Sequence, residues 1–133
     1  MKLENGSIIP GIGIGNIKLG IGKRELLEII GSDFKNSSWG LGEKIVCEGV
    51  VFWITKDGKV DQIGVGKGFK GKYKGLIGIG STLMEVKEFV GSYRQVYDTY
   101  EIIQDKGICF ELEDVEDWDE LTAPIEYIYV FRV

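Results

Sequence analysis

Residues 15–31 read "GNIKLGIGKRELLEIIG", and residues 75–91 read "GLIGIGSTLMEVKEFVG". Overlaid without a gap, the two share Gly15/Gly75, Ile17/Ile77, Gly20/Gly80, Glu25/Glu85, Glu28/Glu88 and Gly31/Gly91. Each begins as an apolar, strand-like piece and continues into a short helix. In the second stretch Thr82-x-x-Glu85 is a capping-box pattern, in which hydroxyl and carboxylate satisfy orphan amides, and Gly91 stands where helices commonly end left-handed. The first stretch has Gly22-x-x-Glu25 and Gly31. Leu26, Ile29 and Ile30, matched by Val86, Phe89 and Val90, fall at helical spacing and predict one apolar face per helix.

The likeness resumes downstream. "GVVFWI" at 49–54 matches "GICFEL" at 107–112, and "VDQIGV" at 60–65 matches "IEYIYV" at 125–130. Asp57-Gly58 between the first pair is the short-range signal of a two-residue hairpin. Such a turn pairs Phe52 with Ile63 and places Val50, Phe52, Ile54, Ile63 and Val65 on one face. Ile108, Phe110, Leu112, Ile128 and Val130 keep the pattern. The expected fold is therefore α+β: two tandem repeats, each a short helix plus an antiparallel β-meander, with the helices on one face of a sheet. One domain over residues 1–133 is expected, with repeats at 11–66 and 75–133 joined by a Lys/Gly-rich connection at 67–74, because halves of about 60 residues would be marginal alone.

Composition narrows the chemistry. Apolar residues make up 44% and charged residues 28% of the 133, which suits a folded globular chain. Glycine, at 20 residues, is about double its usual share of roughly 7%, without a collagen-like period. There is no histidine, which excludes Ser-His-Asp and Cys-His nucleophile pairs and any His-containing metal site. Cys47 and Cys109 are too few for a disulfide framework or a zinc site and are expected to be buried thiols. "GNIKLG" and "GLIGIG" have the spacing of a phosphate loop, but Ile21-Gly22 and Ser81-Thr82 follow where Lys and then Ser or Thr are required. "GIGIGN" likewise lacks the third glycine of a dinucleotide fingerprint. No cofactor, metal or catalytic residue is expected, and a binding protein is favoured over an enzyme. The opening "MKLENGSIIPGIGIG" has an early acid and a broken apolar stretch, unlike a signal peptide, and the chain has no long apolar run, so the expected location is cytoplasmic, away from membranes.

The lead-in "GNIKLG", then a small helix carrying Glu25-Leu26 or Glu85-Val86 and ending in Gly31 or Gly91, then a meander, resembles the tandem unit of the β-lactamase-inhibitor-protein-like fold. Small outer-membrane lipoproteins of the SmpA/OmlA type use a single similar unit. The resemblance implies an open sheet face available to a protein partner, as in a structural or envelope-assembly interaction module. The chain departs from those families in having no lipidation cysteine and no equivalent cysteine pair in each half. A small, acidic two-repeat chain is also similar in profile to the immunity proteins of bacterial toxin systems, contact-dependent growth inhibition among them, which bind and neutralise a toxin domain, often a nuclease.

Charge supplies the candidate site. Residues 1–66 hold eight basic and eight acidic residues, whereas residues 67–133 hold eight and thirteen, so the net charge of -5 belongs to the later half. It concentrates in "ELEDVEDWDE", where Glu111, Glu113, Asp114, Glu116, Asp117, Asp119 and Glu120 surround Trp118. Carboxylates crowded together repel and cost stability, so the segment is read as a mimic of nucleic-acid phosphate for a basic nuclease, with Trp118 as anchor. Read otherwise, it is a solvated acidic loop; a calcium loop lacks the required glycine and spacing. A second surface follows from strand parity: Val51, Trp53, Tyr127, Tyr129 and Phe131 project away from the helix-covered side. That face either meets a partner or is covered by the N-terminal segment or by "NSSWGLG" at 36–42. The segment "GKGFKGKYKG" at 66–75 interleaves lysines with aromatics, a pattern that can bind single-stranded nucleic acid, but the overall negative field opposes that role and a solvated linker is expected.

Overall fold

The computed structural model describes residues 6–133. The elements are β1 (Ile8–Ile9), β2 (Gly13–Ile14), β3 (Ile17–Lys18), α1 (Lys23–Ile30), β4 (Lys35–Trp39), β5 (Gly42–Cys47), β6 (Val50–Ile54), β7 (Val60–Val65), α2 (Leu83–Phe89), β8 (Tyr93–Val96), β9 (Thr99–Ile102), β10 (Asp105–Leu112) and β11 (Ile125–Phe131). Strands β1 to β3 make a small sheet, and the other eight make one antiparallel sheet in the order β4-β5-β6-β7-β11-β10-β9-β8.

One row of side chains shows how the sheet holds the core. Ile45, Phe52, Ile63, Val130 and Ile108 are successive cross-strand neighbours on five strands, and each is fully buried. Alternation puts these residues on one face, where burial of each contributes about 1.5–3 kcal/mol. Leu26 and Ile30 of α1, Leu83 and Val86 of α2, and Ile8, Ile14 and Ile17 of the small sheet join the same cluster. The pairing of Phe52 with Ile63 expected from the sequence is present.

The α+β expectation of two tandem helix-plus-meander repeats is corrected by this architecture. The chain is mostly β, with helices of only eight and seven residues, about two turns each. With two fully buried residues apiece, such helices are too small to form a layer, and strand residues supply most of the core. Pairing of β7 with β11 merges the strands into one sheet, and the N-terminal residues form a sheet of their own. The sequence likeness instead follows two chain reversals: Gly20 and Gly80 have φ of +90° and +92°, and their amides bond Val60 and Ile125, the first residues of β7 and β11. Glycine is favoured in that region of φ because it carries no Cβ.

Local chemistry refines three further points. Thr82 and Glu85 form the reciprocal capping box. The helix then ends at Val90 instead of on a left-handed Gly91, whose φ of +158° is close to extended, and Phe89 is exposed. The β6–β7 turn is also longer than two residues: Thr55 N–H donates to Lys59 O, Gly58 takes φ of +79°, and a bulge between Trp53 and Ile54 restores the register beyond it. Among the described residues no helix is long and apolar enough to cross a membrane. Residues 1–5, on which the expected location partly leaned, lie outside those described.

Candidate functional site

The opposite face of the large sheet is readable as a second row. Arg94, Glu101, Cys109, Tyr129, Gly64, Val51, Val46 and Lys35 are successive neighbours across all eight strands. At its centre, Gly64 gives Tyr129 a floor: a Cβ there would sit 2.8 Å from the tyrosine ring and 3.2 Å from Trp53. Gly66 stands in the same relation to Tyr127, at 2.8 Å. The rings form a run, Trp53 to Tyr129 edge-on at 5.9 Å and Tyr129 to Tyr127 stacked at 6.2 Å. Aromatic pairs in these arrangements add about 0.5–1.5 kcal/mol beyond area burial.

Of the described N-terminal segment, Ile8, Ile14 and Ile17 pack into the core. Residues 36–42 form β4 and the turn to β5, and their tip overhangs the rim with Trp39 and Leu41 exposed. Tip and sheet border an open cleft of about 730 Å³, with Trp39, Trp53 and Tyr129 as aromatic walls and Gln62, Asp61, Lys56 and Glu111 as polar groups. Lys44 lies over the Trp39 ring at 5.5 Å. A volume of this order is in the range of ligand and side-chain pockets.

Glu111 belongs to this cleft and not to the acidic segment in which its sequence placed it. It lies in β10 opposite Tyr127. Burial raises its pKa, the charges of Glu126 and Asp98 add to that, and a hydrogen bond from the Tyr129 hydroxyl opposes them. Burial, followed by the charge of Glu111, pushes Tyr129 up to about 12. Cys109, beside them, is pushed to about 12 by burial and then by Glu101. Cys47 is likewise raised by burial and directs its Sγ to the Asp33 carbonyl at 3.3 Å. Both sulfurs are thus held as neutral thiols.

The remaining acids divide by geometry. Residues 113–124 connect β10 to β11 and are closed by Glu113 N–H donating to Pro124 O. Glu120 turns inward and accepts hydroxyl hydrogen bonds from Tyr93 at 2.9 Å and Tyr100 at 3.4 Å. Asp119 accepts from the Leu121 amide at 2.8 Å and shapes the turn. Glu113, Asp114, Glu116 and Asp117 stay exposed, with no ion pair or hydrogen bond from their side chains among the described residues, and Trp118 beside them is 47% exposed. Of the eleven predicted site residues, the fold thus gathers Trp53, Tyr127, Tyr129 and Glu111 on the open face, and Glu113, Asp114, Glu116, Asp117 and Trp118 on one connection. It withdraws Asp119 and Glu120 into structural bonds.

The lysine-aromatic segment is split in another way. Lys67, Lys70, Lys72 and Lys74 are exposed, whereas Tyr73 is buried, Phe69 packs against the core, and Tyr73 donates to Asp105 at 2.5 Å. The rings are therefore used in packing. Sequence reasoning missed the cleft residues Gln62, Cys109 and Trp39, and the glycines Gly64 and Gly66 beside the tyrosine rings. The usable signal was in "DQIGVG", where glycines alternate in a strand beside tyrosine-rich β11.

No protein-family model and no curated protein matches the chain. Among solved structures, the fold is similar to the crystal structure of the uncharacterized protein yfeY from Escherichia coli, with a TM-score of 0.68 over 95% of this chain and 100% of that one, at 10% identity. At that identity the likeness concerns the fold alone.

Proposed function

We propose that the chain is a non-catalytic binding protein that neutralises a basic protein partner in the cytoplasm, the partner being a toxin domain of the nuclease type. The observation that carries this reading is the set of four exposed carboxylates, Glu113, Asp114, Glu116 and Asp117, without ion-pair or hydrogen-bond partners among the described residues and next to the half-exposed Trp118. Such a group gains nothing from folding, and its field accelerates encounter with a cationic surface. The half-exposed indole can supply the desolvated contact that slows dissociation. The Cys109 thiol and the Tyr129 phenol of the open face are held protonated, which suits a contact surface better than a nucleophile.

Affinity capture from the native cell tests the reading, with wild type compared against a variant carrying lysine at Glu113, Asp114, Glu116 and Asp117. Wild type retains a basic domain and suppresses its activity, and the folded variant loses it. Equal retention by both contradicts the proposal. A partner indifferent to these acids but lost on altering the open face supports the alternative, a structural or envelope-assembly module.

A further inference from the structure

The open-face cleft has a chemistry of its own, separate from the acidic connection. Its walls are indole and phenol rings, and Trp53 and Tyr129 meet edge to face at an interplanar angle of 61° over the space that Gly64 leaves free. The lining also holds Glu111, whose half-buried carboxylate accepts from the Tyr129 hydroxyl, is repelled by Glu126 and Asp98, and has no ion-pair partner among the described residues. The lining carries Asp61 and Glu111 against Lys56, and Lys56 is exposed at the β6–β7 turn. A cation entering here would stack on aromatic faces and relieve the repulsion at Glu111. The rim already shows half of this arrangement, with Lys44 over Trp39.

We propose that the cleft receives an arginine side chain presented by a protein partner, with the guanidinium stacked against Trp53 and Tyr129 and hydrogen-bonded to Glu111. Guanidinium is favoured over ammonium because it is planar, weakly hydrated, stacks on rings and bonds a carboxylate through two parallel N–H donors. The volume accommodates the side chain together with part of the loop that carries it. This deepens the binding reading above by naming the group recognised on the partner.

The test uses the full chain, isotope-labelled for NMR, and a blocked tripeptide with central arginine as probe, beside citrulline and lysine analogues and free guanidinium chloride. The arginine peptide is expected to shift the Trp53 indole together with Glu111 and Cys109 amides, and the citrulline peptide to shift none of them. Glu111→Gln is expected to weaken the arginine titration about tenfold, as loss of a charged hydrogen-bond acceptor implies. Because Gln preserves shape, an unchanged amide spectrum elsewhere shows that the fold is intact. Equal shifts with citrulline, an unaffected Glu111→Gln titration, or shifts confined to residues 113–120 would overturn the proposal. Free guanidinium binding as tightly as the peptide would overturn the protein source. The quadruple lysine variant separates the two readings: if it loses the partner while the cleft still does not respond to arginine, only the present inference fails.

Discussion

Tyr129 of β11 lies directly across from Gly64 of β7, and its ring occupies the space that a side chain on Gly64 would need. This relation joins the two halves of the chain at the centre of the sheet and keeps the aromatic run of the open face in place. A Gly64→Val substitution would therefore push the ring outward and disturb Trp53, which also approaches that position. The expected result is a changed near-ultraviolet circular dichroism spectrum and a loss of about 1–3 kcal/mol in urea unfolding, the cost of overpacking. An unaltered aromatic spectrum would mean the rings are not held by this contact.

Four tyrosines tie stability to alkaline pH. Burial, then hydrogen bonding to Glu120, raises Tyr93 to about 12, and burial raises Tyr129 to about 12; Tyr73 and Tyr100 are raised too. A group whose folded pKa exceeds its ordinary value of 10.0 stabilises fully below that value and loses its contribution as pH climbs through the folded pKa. Thermal melts should therefore hold steady up to about pH 10 and fall steeply between about 10 and 12. Tyr93→Phe should make that fall shallower, and an equally steep decline in the variant would contradict the assignment.

The Tyr73 hydroxyl offers a sharper comparison. Asp105 is its acceptor, and the ring is 1% exposed. Asp105→Ala should cost about 1–3 kcal/mol, since a buried donor loses its acceptor, while Tyr73→Phe should cost less because half-buried Asp105 can turn to water. Chemical denaturation of the two variants checks the order.

At the start of α2, Thr82→Ala removes the hydroxyl that accepts from the Glu85 amide. A loss of about 1 kcal/mol is expected, read by denaturation and by faster amide exchange over residues 83–86.

How much of this was legible in the sequence depends on the range of the forces involved. Phe52 and Ile63 could be paired in advance because alternation fixes which side chains share a face, and a bulge absorbed the turn that Asp57-Gly58 left ambiguous. Thr82 and Glu85 were equally readable, being three residues apart. The three N-terminal strands were not, because two-residue strands broken by glycine carry no period. Glu111 and Glu120 resembled their acidic neighbours in sequence, but the first is set by strand parity in β10 and the second by tyrosines on β8 and β9, more than 19 residues away. The cleft depended on a hairpin tip folding over a distant sheet face, which no local pattern records.

The proposed role of the carboxylates at residues 113–117, which have no partner among the described residues, is to draw in a cationic partner. The association rate with the captured domain, measured at low and at physiological ionic strength, tests it most directly. Wild type should associate much faster at low salt and slow steeply as salt rises, while the variant with lysine at Glu113, Asp114, Glu116 and Asp117 associates slowly at both. Rates that are the same for the two proteins and insensitive to salt would contradict the account.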